Sequence, residues 1–191
     1  MQILDQWVAT LVDVVGKLEI EDGQGRAVAS EAGFNLLFQK AMKTKQMGRV
    51  IFMAGNGASA SIASHAAADL AKNGHLRTLA FADPTLLTAV GNDLGYIEIF
   101  AEPLRRLATT GDMLVLISSS GRSPNILRAT EMAGEMSVDV VTFSAMQPDN
   151  PLRKAGSLNF YVPATSYGCA ESAHAALLHY WIDLHVSAIG E

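Results

Sequence analysis

VIFMAGNGASASIASHAAADL, residues 50–70, is the stretch of sequence from which the fold is predicted. It begins with an apolar run typical of a buried strand, passes through a loop of glycine, asparagine and serine, and continues as an alanine-rich helix. A glycine loop between a strand and a helix start is a ready anion site, because free backbone N–H groups and the helix dipole point at it. The stretch therefore predicts a phosphate or sugar site where the strand ends.

Two pairs of ionisable side chains indicate chemistry beyond simple binding. His65 and Asp69 are four residues apart and share one helix face. Glu171 and His179, on the last predicted helix, are separated by about 80° around that helix and ~12 Å along it, so they meet one ion only by leaning toward each other. Two histidines and two carboxylates suit Zn²⁺, but polar contacts between packed helices would use the same residues. Spacing alone leaves both interpretations open.

The rest of the chain predicts a single α/β domain over residues 1–191. Two N-terminal helices, residues 2–19 and 27–45, flank a polar break at 21–25, and strands then alternate with helices. The predicted strands are residues 50–54, 76–82, 113–117, 138–144 and 158–162. Between the second and third of them, the sequence predicts a short helical or irregular piece at residues 86–90 and a helix at residues 96–108. This alternation predicts a three-layer, doubly wound parallel sheet of about five strands over residues 49–191. Residues 1–48 carry a broad apolar stripe that another subunit would cover, so they are predicted to serve packing and oligomerisation.

Composition limits the classes of partner. The chain is 49% hydrophobic and 17% charged with a net charge of −5, which is typical of a well-packed globular protein. It has no block of lysine and arginine, which argues against nucleic acid as the main ligand. The single Cys169 favours a reducing cytoplasm. The N-terminal stretch, with Asp5 and Asp13 among its apolar residues, predicts neither a signal peptide nor a membrane span.

A second loop, SSSGRS at residues 118–123, also lies between a buried strand and a helix start. Four hydroxyls and several backbone N–H groups there suit a phosphate monoester held by neutral donors, although a serine-rich turn that caps the helix would look similar. The first loop also fits the dinucleotide pattern G-x-G-x-x-A, with Asp83 near the place of a ribose-binding acid. Nothing later in the chain resembles a second mononucleotide half, which argues against that alternative.

Taken together, AGNGASASIASHAAADL, GND, ISSSGRSPN and the closing E-x-x-H-x-x-x-x-H resemble the sugar-isomerase (SIS) domain. The subgroup they resemble is the phosphoheptose isomerases, which convert sedoheptulose 7-phosphate to D-glycero-D-manno-heptose 7-phosphate. The resemblance covers nearly the whole chain. It implies an SIS-type fold, an aldose–ketose isomerisation through an enediol in lipopolysaccharide heptose synthesis, and a cytoplasmic homotetramer with sites between subunits.

The resemblance also implies roles for single residues. The phosphate ligands would be Ser118, Ser119, Ser120 and Ser123. Further contacts to the substrate would come from Asn56, Gly57, Ser59, Asp93 and Glu171. One zinc ion per subunit would be held by His65, Asp69, Glu171 and His179. His179 would be the base and Asp69 its acid partner. The chain departs from the family at two of these positions, with Asp69 in place of Glu and Glu171 in place of Gln.

Two other functions are considered beside the isomerase. A non-catalytic SIS protein that senses a sugar phosphate or acts as an adaptor should lack the acid/base pair, which this chain retains in altered form. A nucleotide-binding oxidoreductase would rest on the glycine pattern alone. The sequence therefore predicts a phosphosugar isomerase.

Overall fold

The computed structural model describes residues 3–189, which fold around one seven-stranded sheet. Its strands are β1 (Glu19–Asp22), β2 (Ala27–Val28), β3 (Ile51–Gly55), β4 (Thr78–Ala80), β5 (Met113–Ser118), β6 (Asp139–Ala145) and β7 (Leu158–Val162). Its helices are α1 (Leu4–Gly16), α2 (Ser30–Gln46), α3 (Ala58–Lys72), α4 (Pro84–Asp93), α5 (Ala101–Leu107), α6 (Pro124–Glu135) and α7 (Tyr167–Ile189). Short 3₁₀ turns lie at Tyr96–Glu98 and Pro151–Lys154.

The strand order is β2-β1-β7-β6-β5-β3-β4. The five strands from β3 to β7 run parallel, as the alternating pattern predicts, so the α/β class and the parallel sheet are confirmed. Helices cover both faces: α2, α3 and α7 pack on one apolar layer, and α5 and α6 pack on the other. The sheet is therefore buried between two helical layers, and its loops carry the free backbone groups.

The sheet has two strands more than expected, because the polar break at residues 21–25 is the turn of a hairpin. The Asp22 carboxylate accepts hydrogen bonds from the backbone N–H groups of Gln24 and Arg26, at 2.9 and 3.0 Å, which closes the turn. β1 then pairs antiparallel with both β2 and β7. Helix α2 consequently begins at Ser30, three residues later than predicted.

A helix predicted over residues 96–108 is also divided. Residues 96–98 form a 3₁₀ turn, and α5 begins only at Ala101. Pro103 explains the break, because proline has no N–H to donate and fits the first turn of a helix but not its interior. The piece expected near residues 86–90 is longer than predicted, since the Asp83 side chain caps α4 by accepting from the Leu86 N–H at 2.8 Å.

The N-terminal helix keeps an uncovered apolar stripe. Val14 is buried, but Leu4, Val8 and Val12 are 73%, 46% and 67% exposed. Single exposed apolar residues are ordinary, whereas a stripe on one helix face points to a contact surface. Within residues 3–189, none of the helices combines the length and the apolar character that crossing a membrane requires.

Candidate active site

The carboxyl ends of β3 and β5 lie side by side, with Gly55 opposite Ile117 in the register of the sheet. The two loops singled out from the sequence follow these strands and enclose a cavity of about 200 Å³. It is lined by Asn56, Ser59, Ile117, Ser118, Ser119, Ser120, Ser123, Tyr167 and Glu171. Seven of these residues are predicted substrate contacts, and the structure brings them together. Tyr167 is an addition that no motif indicated.

The serine loop is held open toward this cavity by its own backbone. The Gly121 N–H donates to the Ser118 carbonyl at 3.1 Å, and the Ala145 N–H donates to the Ser119 carbonyl at 3.1 Å. The Ser119 hydroxyl is buried and has no hydrogen-bond partner among the described residues. Ser123 occupies the N-cap position of α6, yet its side chain makes no cap bond. Its hydroxyl is therefore not used for capping, which favours the anion site over the capping turn.

Asn56 is fixed by partners that sequence reasoning missed. Its carboxamide and that of Asn125 exchange two hydrogen bonds of 2.9 Å, and the Tyr96 hydroxyl donates to Asn56 Oδ1 at 3.1 Å. Asn125 is in the first turn of α6 and is buried, whereas Tyr96 is exposed on the 3₁₀ turn. A single asparagine and a single tyrosine form no recognisable sequence pattern, so their contact with Asn56 becomes evident only in the folded structure.

The second centre lies where α3 packs on α7. One ligand atom from each of His65, Asp69 and His179 lies within 4.8 Å of the others. The His65 Nε2 and Asp69 Oδ2 atoms are 3.3 Å apart, and the two histidine rings are 5.1 Å apart. Both histidines are exposed rather than packed between the helices, so they are not merely a buried polar contact. Two imidazoles and a carboxylate form a donor set that suits Zn²⁺ with an open coordination position.

One predicted metal ligand and two predicted substrate contacts lie elsewhere. Glu171 is not brought to the His65 cluster, because it lies two turns before His179 on α7, and its side chain faces the serine cavity instead. Asp93 is exposed at the end of α4, where it accepts from the Asn92 amide at 2.8 Å. Gly57, with a φ of 56°, precedes α3 and serves the turn rather than the cavity wall.

The two centres lie one after the other along the packed helices α3 and α7. A second cavity of about 230 Å³ lies beside His65 and His179, and apolar side chains such as Ile62, Leu178 and Ile182 line it. Ser59 in the first cavity and His65 in the second are six residues apart on α3, which is about 9 Å along the helix. The helix pair thus carries the hydroxyls of the serine cavity, with Glu171 in the cavity wall, at one end and the histidine cluster further along.

Other ionisable residues on α7 do not belong to the site. Burial raises the pKa of the Cys169 thiol, which makes it an inert core group rather than a nucleophile. Burial lowers the pKa of His174 to about 4, and its Nε2 lies 3.2 Å from the Ser144 carbonyl oxygen. Because a carbonyl only accepts, His174 donates from Nε2 and is neutral.

Comparisons with known proteins show which proteins the chain and its fold are similar to. Residues 26–145 match the family model of the SIS domain. The chain is 33% identical to the phosphoheptose isomerase of a Bradyrhizobium species over 177 residues, which covers 81% of this chain and 86% of that protein. It is 36% identical to the Mycobacterium tuberculosis phosphoheptose isomerase over 140 residues, 69% and 70% of the two chains. The Neisseria gonorrhoeae phosphoheptose isomerase structure superposes with a TM-score of 0.82 at 25% identity, covering 96% and 97%.

Proposed function

Because the chain belongs to the SIS-domain family and, within it, to the phosphoheptose isomerases, we propose that it isomerises sedoheptulose 7-phosphate to D-glycero-D-manno-heptose 7-phosphate. The observation that carries this proposal is the presence of two centres along the same helix pair, a serine cavity and the His65, Asp69 and His179 cluster. A phosphosugar isomerase needs both, one to hold the phosphate and one to move protons beside the carbonyl.

The spacing of the two centres supports a long sugar. His179 lies about 12 Å along α7 from Glu171, which faces the serine cavity. An extended seven-carbon chain with its phosphate ester spans roughly 10 Å when C–C bonds are about 1.5 Å each. We propose that the phosphate binds at the serines and that the sugar extends from there along α7 toward His179.

The proposed chemistry uses an enediol. His179 removes the proton from the carbon beside the carbonyl and returns it to the adjacent carbon, while Asp69 carries the proton between the two oxygens. We propose that His65, Asp69 and His179 hold one Zn²⁺ ion per subunit, which would supply positive charge for the oxygen that becomes negative. A lone pair that binds an ion accepts no proton, so His179 would act as the base only while its ring is released from the ion, and Asp69 would carry the proton on the carboxylate oxygen that does not bind it.

The proposal extends to the assembly. The exposed stripe of α1, with Leu4, Val8 and Val12, supports the predicted homotetramer, in which this face would be covered by another copy. The cytoplasm remains the predicted location. Neither nucleic acid nor membrane is among the expected partners, since the chain is acidic and lacks a basic patch.

The test is turnover of sedoheptulose 7-phosphate followed by proton NMR, on chelated protein and on the same protein after Zn²⁺ is restored. We expect the aldoheptose phosphate to appear only with the metal. Equal turnover in both samples would contradict the role of the metal, while the proposed isomerase activity would still hold. Absence of turnover in both would overturn the isomerase and leave a phosphosugar-binding protein.

A further inference from the structure

The side-chain amides of Asn56 and Asn125 form a hydrogen-bonded pair, and the partners of their donor and acceptor atoms can be assigned one by one. An asparagine oxygen accepts two hydrogen bonds, and its nitrogen donates two. Asn56 Oδ1 accepts from Asn125 Nδ2 and from the Tyr96 hydroxyl, so both of its lone pairs are used. Asn56 Nδ2 donates one N–H to Asn125 Oδ1. Its second N–H is not used within the pair, and Asn56 is one of the residues that line the serine cavity.

The orientation of both amides is fixed by the backbone of α6. The Ile126 N–H donates to Asn125 Oδ1 at 3.0 Å, and a backbone N–H can only donate. Asn125 must therefore keep its oxygen on that side, and its nitrogen then faces the Asn56 oxygen. The Tyr96 hydroxyl can donate or accept, so it follows this orientation and adds a second bond. A flipped Asn56 would instead present an oxygen to the cavity, which repels phosphate and carbonyl oxygens.

We propose that Asn125 and Tyr96 are positioning residues that hold the Asn56 carboxamide as a hydrogen-bond donor to the substrate. The proposal rests on the proposed function for the identity of the substrate, an oxygen-rich sugar phosphate. Neither residue lines the cavity, so both act through Asn56. Asn125 is 1% exposed, and an amide so buried is held by its hydrogen bonds. Specificity for an acceptor oxygen is then built from α6 and the 3₁₀ turn as well as from the glycine loop.

Two substitutions test this inference, measured as the Kd of sedoheptulose 7-phosphate by calorimetry. Asn125→Asp replaces the donating nitrogen by an acceptor, and we expect Kd to rise about tenfold. Tyr96→Phe removes one hydrogen bond at an exposed position, and we expect Kd to rise about threefold. If Asn125→Asp does not fold, Tyr96→Phe alone tests the inference. Asn35→Asp, at an exposed site on α2, is the control with the same charge change and should bind as the parent does.

A double-mutant cycle separates positioning from a general structural effect. In an Asn56→Ala background, neither substitution should raise Kd further, because the group they position is gone. An equal rise in both backgrounds, or unchanged Kd in the single variants, would overturn the inference.

The side-chain amide NMR signals of Asn56 in the ligand-free protein give an independent measurement. If they shift in Asn125→Asp and Tyr96→Phe while the parent does not bind the sugar, the proposed function fails and the positioning role stands. If they do not shift, the positioning role fails.

Discussion

Asp69 is the residue on which the ionisable cluster depends most, because among residues 3–189 it supplies the one carboxylate grouped with the two histidines. Replacing it by Asn removes the negative charge and keeps the size. We expect the Asp69→Asn protein to bind Zn²⁺ at least tenfold more weakly, measured as metal retained after dialysis against a graded chelator. Asp183→Asn, at an exposed site on α7, is the matched control. Equal zinc retention in the two variants would contradict the assignment.

For single residues, the sequence predicts the contacts that are set by short spacing along the chain. The i,i+4 relation places His65 beside Asp69 before any fold is known, and the serine run predicts its own cavity. The approach of His179 is different, because it depends on how α3 crosses α7. The same packing leaves Glu171 two turns away from the cluster. Asn125 is invisible for a related reason: its partner is 69 residues away in the chain.

At the scale of loops, helices and strands, the serine loop at residues 118–123 requires a glycine at position 121. Gly121 has a φ of 61°, and a Cβ built there would overlap the Asn150 amide. Asn150 cannot move aside, because it is fully buried and donates to the Ala145 and Gln147 carbonyls at 3.2 and 2.8 Å. We expect Gly121→Ala to lower the free energy of unfolding by about 3 kcal/mol, measured by urea denaturation, and to weaken binding of the sugar phosphate.

The control for this substitution lies on the next helix. Gly134, on α6, has open space around the position of a Cβ and no positive φ. Gly134→Ala should therefore stabilise the protein by about 0.5–1 kcal/mol, since alanine is the better helix former. Destabilisation of similar size in both variants would mean that the loop geometry does not require Gly121.

Elements built from long apolar runs are also the ones that the sequence predicts well. β3 and β5 are buried along their whole length, and such runs leave few alternatives. The β1–β2 hairpin is missed because its strands are only four and two residues long, too short to show an alternating pattern. It is held by tertiary contacts instead: Arg153 forms ion pairs with Glu19 and Glu21 and lies 4.3 Å above the Tyr161 ring. No periodicity records such contacts.

At the scale of the whole molecule, two buried histidines couple stability to pH. His174 is enclosed beneath β6, and His185 is 2% exposed, with its ring centroid 4.5 Å from that of Phe38. Burial lowers the pKa of each to about 4, and the charge of Lys45 adds to the effect at His185. In the unfolded chain each would titrate near its ordinary value of 6.5. Between pH 6.5 and 4 the unfolded state therefore binds more protons than the folded state.

Acid therefore lowers the stability of the folded protein. The stability that the neutral histidines provide is fully present above pH 6.5 and is lost as pH falls toward 4, by at most about 1.4 kcal/mol per pH unit for each. We expect His185→Met, which places an apolar group against Phe38 and Trp181, to remove about half of this slope in urea unfolding between pH 6 and 5. His75→Asn is the matched control, since it also removes one histidine, but at an exposed site. The carboxylates are the same in all three proteins, so their contribution cancels in the comparison. A slope unchanged in His185→Met would show that this histidine is already protonated in the folded protein, and that the packing around α7 tolerates a buried charge.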